Sequence, residues 1–286
     1  MINLGPLTFE RNGLKVIYDP ILGHHRLDPY PDADETEAYY EGDSFYTNYS
    51  PADWFEKELA EYRAGLWNAY YTYLIRLADE MEFILDWGCG FGWFVDFCRE
   101  ANRFYWIEGL EPSLSAIDKG ESVLGPLPIR SSRKELEVNT FDTIYLMLVL
   151  EHIVNPTKFL REIYDKISIG GQIVIVVPND LNPLQTRLGY TGFISPVHVN
   201  YFTTDTLRHV MTEAGFTIIH ESTTFPMELF PLLGINYFGN DALGRKCHRF
   251  RLRLEKLFGW RIFNLYKRLY DRWGIGRELI FVGAKR

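Results

Sequence analysis

The stretch Phe83-Ile84-Leu85-Asp86-Trp87-Gly88-Cys89-Gly90-Phe91-Gly92 constrains this chain more than any other. An apolar run ends there in a carboxylate and meets three glycines at alternate positions, a pattern that predicts strand, turn and helix in succession. Glycine at 88, 90 and 92 admits positive φ and removes the β-carbons that would block a ligand. Trp93 to Cys98 continues at helical spacing, so free N–H groups of a helix N-terminus would face whatever rests on the glycines. A nucleotide-like molecule suits such a turn. A dinucleotide site requires Gly-x-Gly-x-x-Gly, whereas here the third glycine comes one residue early, which argues against a NAD enzyme. A turn that only joins strand to helix is the plainer alternative.

The 286 residues suit one α/β domain with insertions, and no apolar run approaches the roughly 18 residues of a membrane span. The opening residues lack the basic-then-apolar layout of a signal peptide, so a cytoplasmic location is expected. Cys89, Cys98 and Cys247 include no Cys-x-x-Cys pair, and neither a disulfide framework nor a metal site is expected. Net charge is −8, but residues 241–273 hold ten Lys or Arg against three acids, leaving −15 on the remainder. General nucleic-acid binding is therefore not expected, and anion recognition should be confined to that late segment.

Residues 1–50, punctuated by prolines and carrying His24, His25, Tyr30, Tyr39, Tyr40, Tyr46 and Tyr49 among carboxylates, show no lasting helical or alternating pattern. They predict an acidic lead-in that either packs its aromatics on the main domain or forms a lid over a substrate pocket. From Ser50-Pro51 to about Asp79, apolar residues recur at three- and four-residue intervals, which predicts one helix. Residues 105–111 predict a second strand ending in Glu111, 25 residues after Asp86, where a βαβ unit returns to the ligand edge and a carboxylate can accept both ribose hydroxyls. Short and long strands follow at 127–130 and 141–150, the latter apolar enough to require cover on both faces. Asn155-Pro156 predicts a capped helix start, and Gly170-Gly171 a turn into a strand at 172–177. Residues 225–277 mix Leu, Phe and Trp with Arg and Lys as one or two amphipathic helices. Three readings of that segment stay open: a solvated helical cap, a contact for a phosphate-bearing or lipid-linked substrate, or a peripheral membrane or homodimer contact through 243–273.

Together these motifs resemble the class I S-adenosylmethionine-dependent methyltransferases, in the subgroup related to ubiquinone-type and glycan-cluster O-methyltransferases. The resemblance rests on Asp86 to Gly92, Glu111, Phe141-Asp142, Leu150-Glu151-His152-Ile153, Asn155-Pro156, Gly170-Gly171 and His198 to Thr203, and covers about residues 39 to 224 plus the strand near 279–282. It implies a Rossmann-like, seven-stranded, mostly parallel sheet with helices on both faces, carrying an N-terminal lid (1–50) and a helical insertion (225–277) on a core of 51–224 and 278–286. It implies S-adenosyl-L-methionine as cofactor, held by Asp86, Gly88, Cys89, Gly90, Gly92, Glu111, Pro112, Ser132, Met147 and Leu148. Ser131-Ser132-Arg133 stands where the family often places an acidic residue near the adenine amine.

The cofactor would bring its own activated methyl group, so the protein has to align a nucleophile and handle its proton. His152 and His198 are the candidate bases, because imidazole titrates near neutrality. Tyr40, Tyr46 and Tyr201 are candidate acceptor contacts. Arg249 and Arg253, with Arg245, Lys246 and Arg251, would meet an anionic group if the insertion faces the acceptor. The leading expectation is O-methylation of a small molecule such as a sugar, lipid-linked or other biosynthetic intermediate. N-methylation of a small amine and a non-catalytic, cofactor-binding partner subunit are the alternatives.

Overall fold

A computed structural model describes residues 8–11, 13–41, 45–46, 53–78, 83–101, 106–138, 140–187, 195–237 and 239–286. The opening residues, Tyr49 and the Ser50-Pro51 helix start lie outside them. In chain order the strands are β1 (Thr8–Arg11), β2 (Leu14–Asp19), β3 (His24–Asp28), β4 (Phe83–Trp87), β5 (Trp106–Leu110), β6 (Ile129–Arg130), β7 (Phe141–Met147), β8 (Ile167–Pro178), β9 (Asn200–Tyr201), β10 (Thr217–Thr223) and β11 (Glu278–Ala284). The helices are α1 (Ala33–Glu41), α2 (Trp54–Arg63), α3 (Asn68–Leu77), α4 (Trp93–Ala101), α5 (Leu114–Leu124), α6 (Pro156–Lys166), α7 (Pro183–Arg187), α8 (Thr204–Glu213), α9 (Leu229–Leu232), α10 (Asp241–Phe258) and α11 (Ile262–Trp273). No helix among the described residues is long and apolar enough to cross a membrane.

The large sheet runs β10-β11-β8-β7-β4-β5-β6, and only β11 pairs antiparallel with its neighbours. It is the seven-stranded, Rossmann-like architecture expected. From β4 the chain moves outward through β5 and β6, then crosses back to β7 on the other side of β4. That reversal opens a crevice beyond the ends of β4 and β7, where doubly wound sheets bind ligands.

Period-two alternation divides the core into two layers. Val174, Val176, Ile280 and Val282 point to the face covered by α3, α4 and α11, against Leu74, Phe94 and Phe263. Ile173, Ile175, Val177, Leu279 and Phe281 point to the opposite face, against Leu160, Leu207 and Val210 of α6 and α8. This two-sided burial explains the near-continuous apolar runs of β7 and β8. Asn155 caps α6 by accepting from Lys158 N–H at 3.2 Å, with Pro156 opening the helix.

Two local expectations need correcting. The helix read over 51–79 is two helices, α2 and α3, because Gly65 takes positive φ after Ala64 caps the first. The lead-in read as patternless contains β1, β2 and β3, which pair antiparallel with one another and, through His25 opposite Tyr201 and Arg26 opposite Asn200, with β9. Its strands carry polar residues in both alternating sets, so period two was not visible in sequence. Val16, Leu27, Val199 and Tyr201 form its separate small core.

Candidate active site

The glycine turn follows β4 at the crevice. Gly88, Gly90 and Gly92 all have positive φ, at 77°, 57° and 83°. A β-carbon at Gly88 would stand 2.5 Å from Val149, and one at Gly92 would stand 2.5 Å from Leu127. Gly92 thus serves packing and lies outside the cavity lining, whereas Gly90 borders open space with only the Tyr46 hydroxyl near, at 3.4 Å. Gly109 on β5 is matched to Cys89, whose Sγ would be 2.5 Å from any added β-carbon.

Asp86 is buried, and neither carboxylate oxygen has a hydrogen-bond partner among the described residues. Burial, reinforced by the charge of Glu111, pushes its carboxyl up to about 8. Glu111, also buried, is held by backbone donors: Gly90 N–H at 2.9 Å on Oε2 and Ser113 N–H at 3.0 Å on Oε1. The Tyr46 hydroxyl donates to the same carboxylate at 3.5 Å, and its ring stacks on Trp54. Tyr46 therefore sits over the glycine turn and Glu111.

Tyr46, Trp54, Asp86, Gly88, Cys89, Gly90 and Glu111 line one cavity of about 920 Å³, which Pro112, Met147 and Leu148 also line. Its next sector is the turn after β7. His152 Nδ1 lies 2.8 Å from the Val197 carbonyl, which can only accept, so that nitrogen carries the proton and Nε2 keeps its lone pair. The Tyr40 hydroxyl is also 2.8 Å from Nδ1. His198 stands edge-on to His152 with ring centres 4.8 Å apart. Burial lowers His152 to about 4; burial first, then the charges of His152 and Arg277, lower His198 to about 3. Both imidazoles are thus neutral near pH 7. Burial pushes the Glu151 carboxyl up as well. Glu151, His152 and His198 each bring one potential ligand atom within 4.8 Å of the others, a spacing that suits one cation, although the sequence reading expects no metal.

Asn200 fixes this turn to the small sheet. Its amide donates to the carbonyls of Leu150 at 3.0 Å and Ile153 at 2.7 Å, and its oxygen accepts from Tyr30 at 2.8 Å and faces His24 Nε2 at 2.9 Å. All four hydrogen-bonding positions of a buried amide are thus used. The lead-in strands and β9 together position His152.

Of the far sector only Arg251 was expected, among the basic residues that would meet an anionic group. Trp67, Tyr70, Tyr71 and Phe263 line it together with Arg251, Glu255, Arg277 and Glu278. Arg251 Nε is buried without a hydrogen-bond partner among the described residues, and Glu255 Oε1 is 3.6 Å away. The four-residue spacing of Cys247, Arg251 and Glu255 marks the inward face of α10 and was the signal available in sequence.

Several expected contacts are not in this cavity. Arg249 and Arg253 are exposed on the outer face of α10, two residues on either side of the inward Arg251. Tyr201 is buried in the small sheet, its hydroxyl engaged with Ser195 at 3.2 Å. Ser132 caps the turn at 133–135 by accepting from Lys134 N–H at 3.3 Å, while its neighbours Ser131 and Arg133 line the cavity.

Known proteins are similar to this chain in sequence and in fold. A protein of unassigned function from Methanocaldococcus jannaschii is 25% identical over 175 residues, covering 54% of this chain and 72% of that protein. A tRNA U34 carboxymethyltransferase of Desulforapulum autotrophicum is 31% identical over 100 residues, which span 32% of this chain and only 30% of that enzyme. In fold, the chain is similar to a S-adenosylmethionine-dependent methyltransferase from Archaeoglobus fulgidus, with a TM-score of 0.52 at 19% identity, over 80% of this chain and 99% of that one. The family described as "Methyltransferase domain" matches residues 59–221, more than half of the chain; the protein belongs to that family, and its fold is that of the class I S-adenosylmethionine-dependent methyltransferases.

Proposed function

We propose that this enzyme O-methylates a small, hydroxyl-bearing acceptor such as a sugar or lipid-linked intermediate. The observation that carries the reading is the neutral imidazole pair, His152 and His198, in the same cavity as Gly90, Asp86 and Glu111. The first part of that cavity fits the cofactor. The unpartnered oxygens of buried Asp86 call for a cationic or donor group, which the amino-acid end of S-adenosylmethionine offers. Glu111, preset by Gly90 and Ser113, is oriented for ribose hydroxyls, and an added β-carbon at Gly90 would intrude on the space beside Tyr46. When bound, the cofactor supplies an electrophilic methyl group on a sulfonium.

The remaining chemistry belongs to the chain. His152, with Nδ1–H donated to Val197, would present Nε2 to take the acceptor hydroxyl's proton as the C–O bond forms and the methyl's C–S bond breaks. The aromatic walls of Trp67, Tyr70 and Phe263 exclude water, and Arg251, Glu255 and Arg277 offer charged hydrogen-bonding groups to a polar acceptor. A compact, mostly aromatic chamber with a few charged groups favours a small molecule over a nucleic acid.

The test is transfer from methyl-labelled cofactor into separated small-molecule, tRNA and protein fractions of an extract. Label should enter a small molecule as a methyl ether, and His152→Gln should slow transfer by about 10²- to 10⁴-fold while preserving calorimetric binding of S-adenosylhomocysteine. Label in tRNA, or on an amine nitrogen, would overturn the reading.

A further inference from the structure

We propose that the outward face of α10 docks on an anionic lipid surface. Residues advance by about 100° each along a helix, so Arg245, Lys246, Arg249, Arg253 and Lys256 fall on one arc, bordered by Phe250 and Leu257. All seven are exposed. Lys246, Arg249 and Arg253 form no ion pair among the described residues. The opposite arc, Cys247, Leu252 and Glu255, is buried against the protein, so α10 is already anchored and offers only its outer side chains.

An apolar loop continues this face. Leu233 is 78% exposed and Leu257 77%, while Leu232 and Ile235 are also exposed. Phe230 ties the loop to the helix: its ring meets Phe250 at 6.0 Å, and its carbonyl accepts from Ile235 N–H at 2.8 Å. Aliphatic and aromatic side chains beside a row of Arg and Lys are the makings of a surface that inserts shallowly among lipid headgroups.

Charge selects the occupant. Residues 241–273 carry ten Lys or Arg against three acids in a chain of net charge −8, so the rest of the molecule is repelled by an anionic surface and this face is drawn to it. A second copy would set the same positive face against itself in a two-fold contact, which is repulsive. Nucleic acid would satisfy the cations but gives Leu233 and Leu257 no apolar phase to enter.

The test is co-sedimentation of the full chain with vesicles of phosphatidylcholine containing one-third phosphatidylglycerol, against phosphatidylcholine alone. Binding should require the anionic lipid and fall steeply with added salt. At about fivefold per basic residue near the surface, joint replacement of Arg245, Lys246, Arg249 and Arg253 by Gln should weaken binding by about a hundredfold to a thousandfold. Leu233→Asp with Leu257→Asp should weaken it with all the cations kept. Equal binding to both vesicles, or wild-type binding by the Gln variant, would overturn the proposal. So would RNA retention lost in the Gln variant without vesicle binding, or concentration-dependent self-association lost in either variant.

Discussion

The backbone N–H of Gly90 donates to Oε2 of Glu111 at 2.9 Å. This bond joins the glycine turn after β4 to the end of β5, so the two strand ends that frame the crevice are fixed to each other before any ligand arrives. Preorganisation of this kind lowers the ordering cost of binding.

Glu111→Gln should therefore weaken the binding of S-adenosylhomocysteine by about 1 to 3 kcal/mol, the scale of a charge-assisted hydrogen bond. The amide cannot accept from Gly90, Ser113 and a ribose at once without turning its NH₂ toward one of those donors. Calorimetric titration of the variant measures the loss; unchanged affinity would remove Glu111 from the cofactor site.

Asp86 sets a second expectation. A carboxyl held at about 8 by burial is roughly nine-tenths protonated at pH 7. S-adenosylmethionine brings fixed positive charge, which favours the carboxylate and drives the proton off. Titrations at pH 7 in buffers of different ionisation enthalpy should show release approaching one proton per site, abolished in Asp86→Asn. A binding enthalpy independent of buffer would refute this.

The parts legible in sequence were those where a local pattern and a tertiary role coincide. Asp86, the glycines and Glu111 sit at strand ends where the change of period itself marks the turn, and Asn155-Pro156 carries its own capping chemistry. The small sheet was hidden because its pairing with β9 spans some 175 residues and its strands carry polar residues in both alternating sets; His24 and Asn200 meet only in three dimensions. On α10 the number of basic residues drew attention to Arg249 and Arg253, but burial of Leu252 and Glu255 sets the rotation of the helix and turns Arg251 inward instead. Charge counts reveal a face, and only packing reveals which face.

Glu58 gives the last expectation. It lines the cavity, accepts from Trp93 Nε1 at 2.8 Å, and burial pushes its carboxyl up to about 7 from the ordinary 4.5. Between those values the folded state holds a proton that the unfolded chain has lost, so stability from this group is fully present below about 4.5 and is lost as pH rises through about 7. At 1.36 kcal/mol per unit, the whole loss is about 3 kcal/mol. Glu58→Gln keeps an acceptor for Trp93 and removes the titration. Its stability relative to wild type should therefore improve by about 3 kcal/mol from pH 4 to pH 8, with the change confined to the interval between the two pKa values. Urea denaturation of both proteins across that range measures it. A stability difference that is the same at both ends would mean that the Glu58 carboxyl keeps its ordinary acidity and that water reaches it in the folded protein.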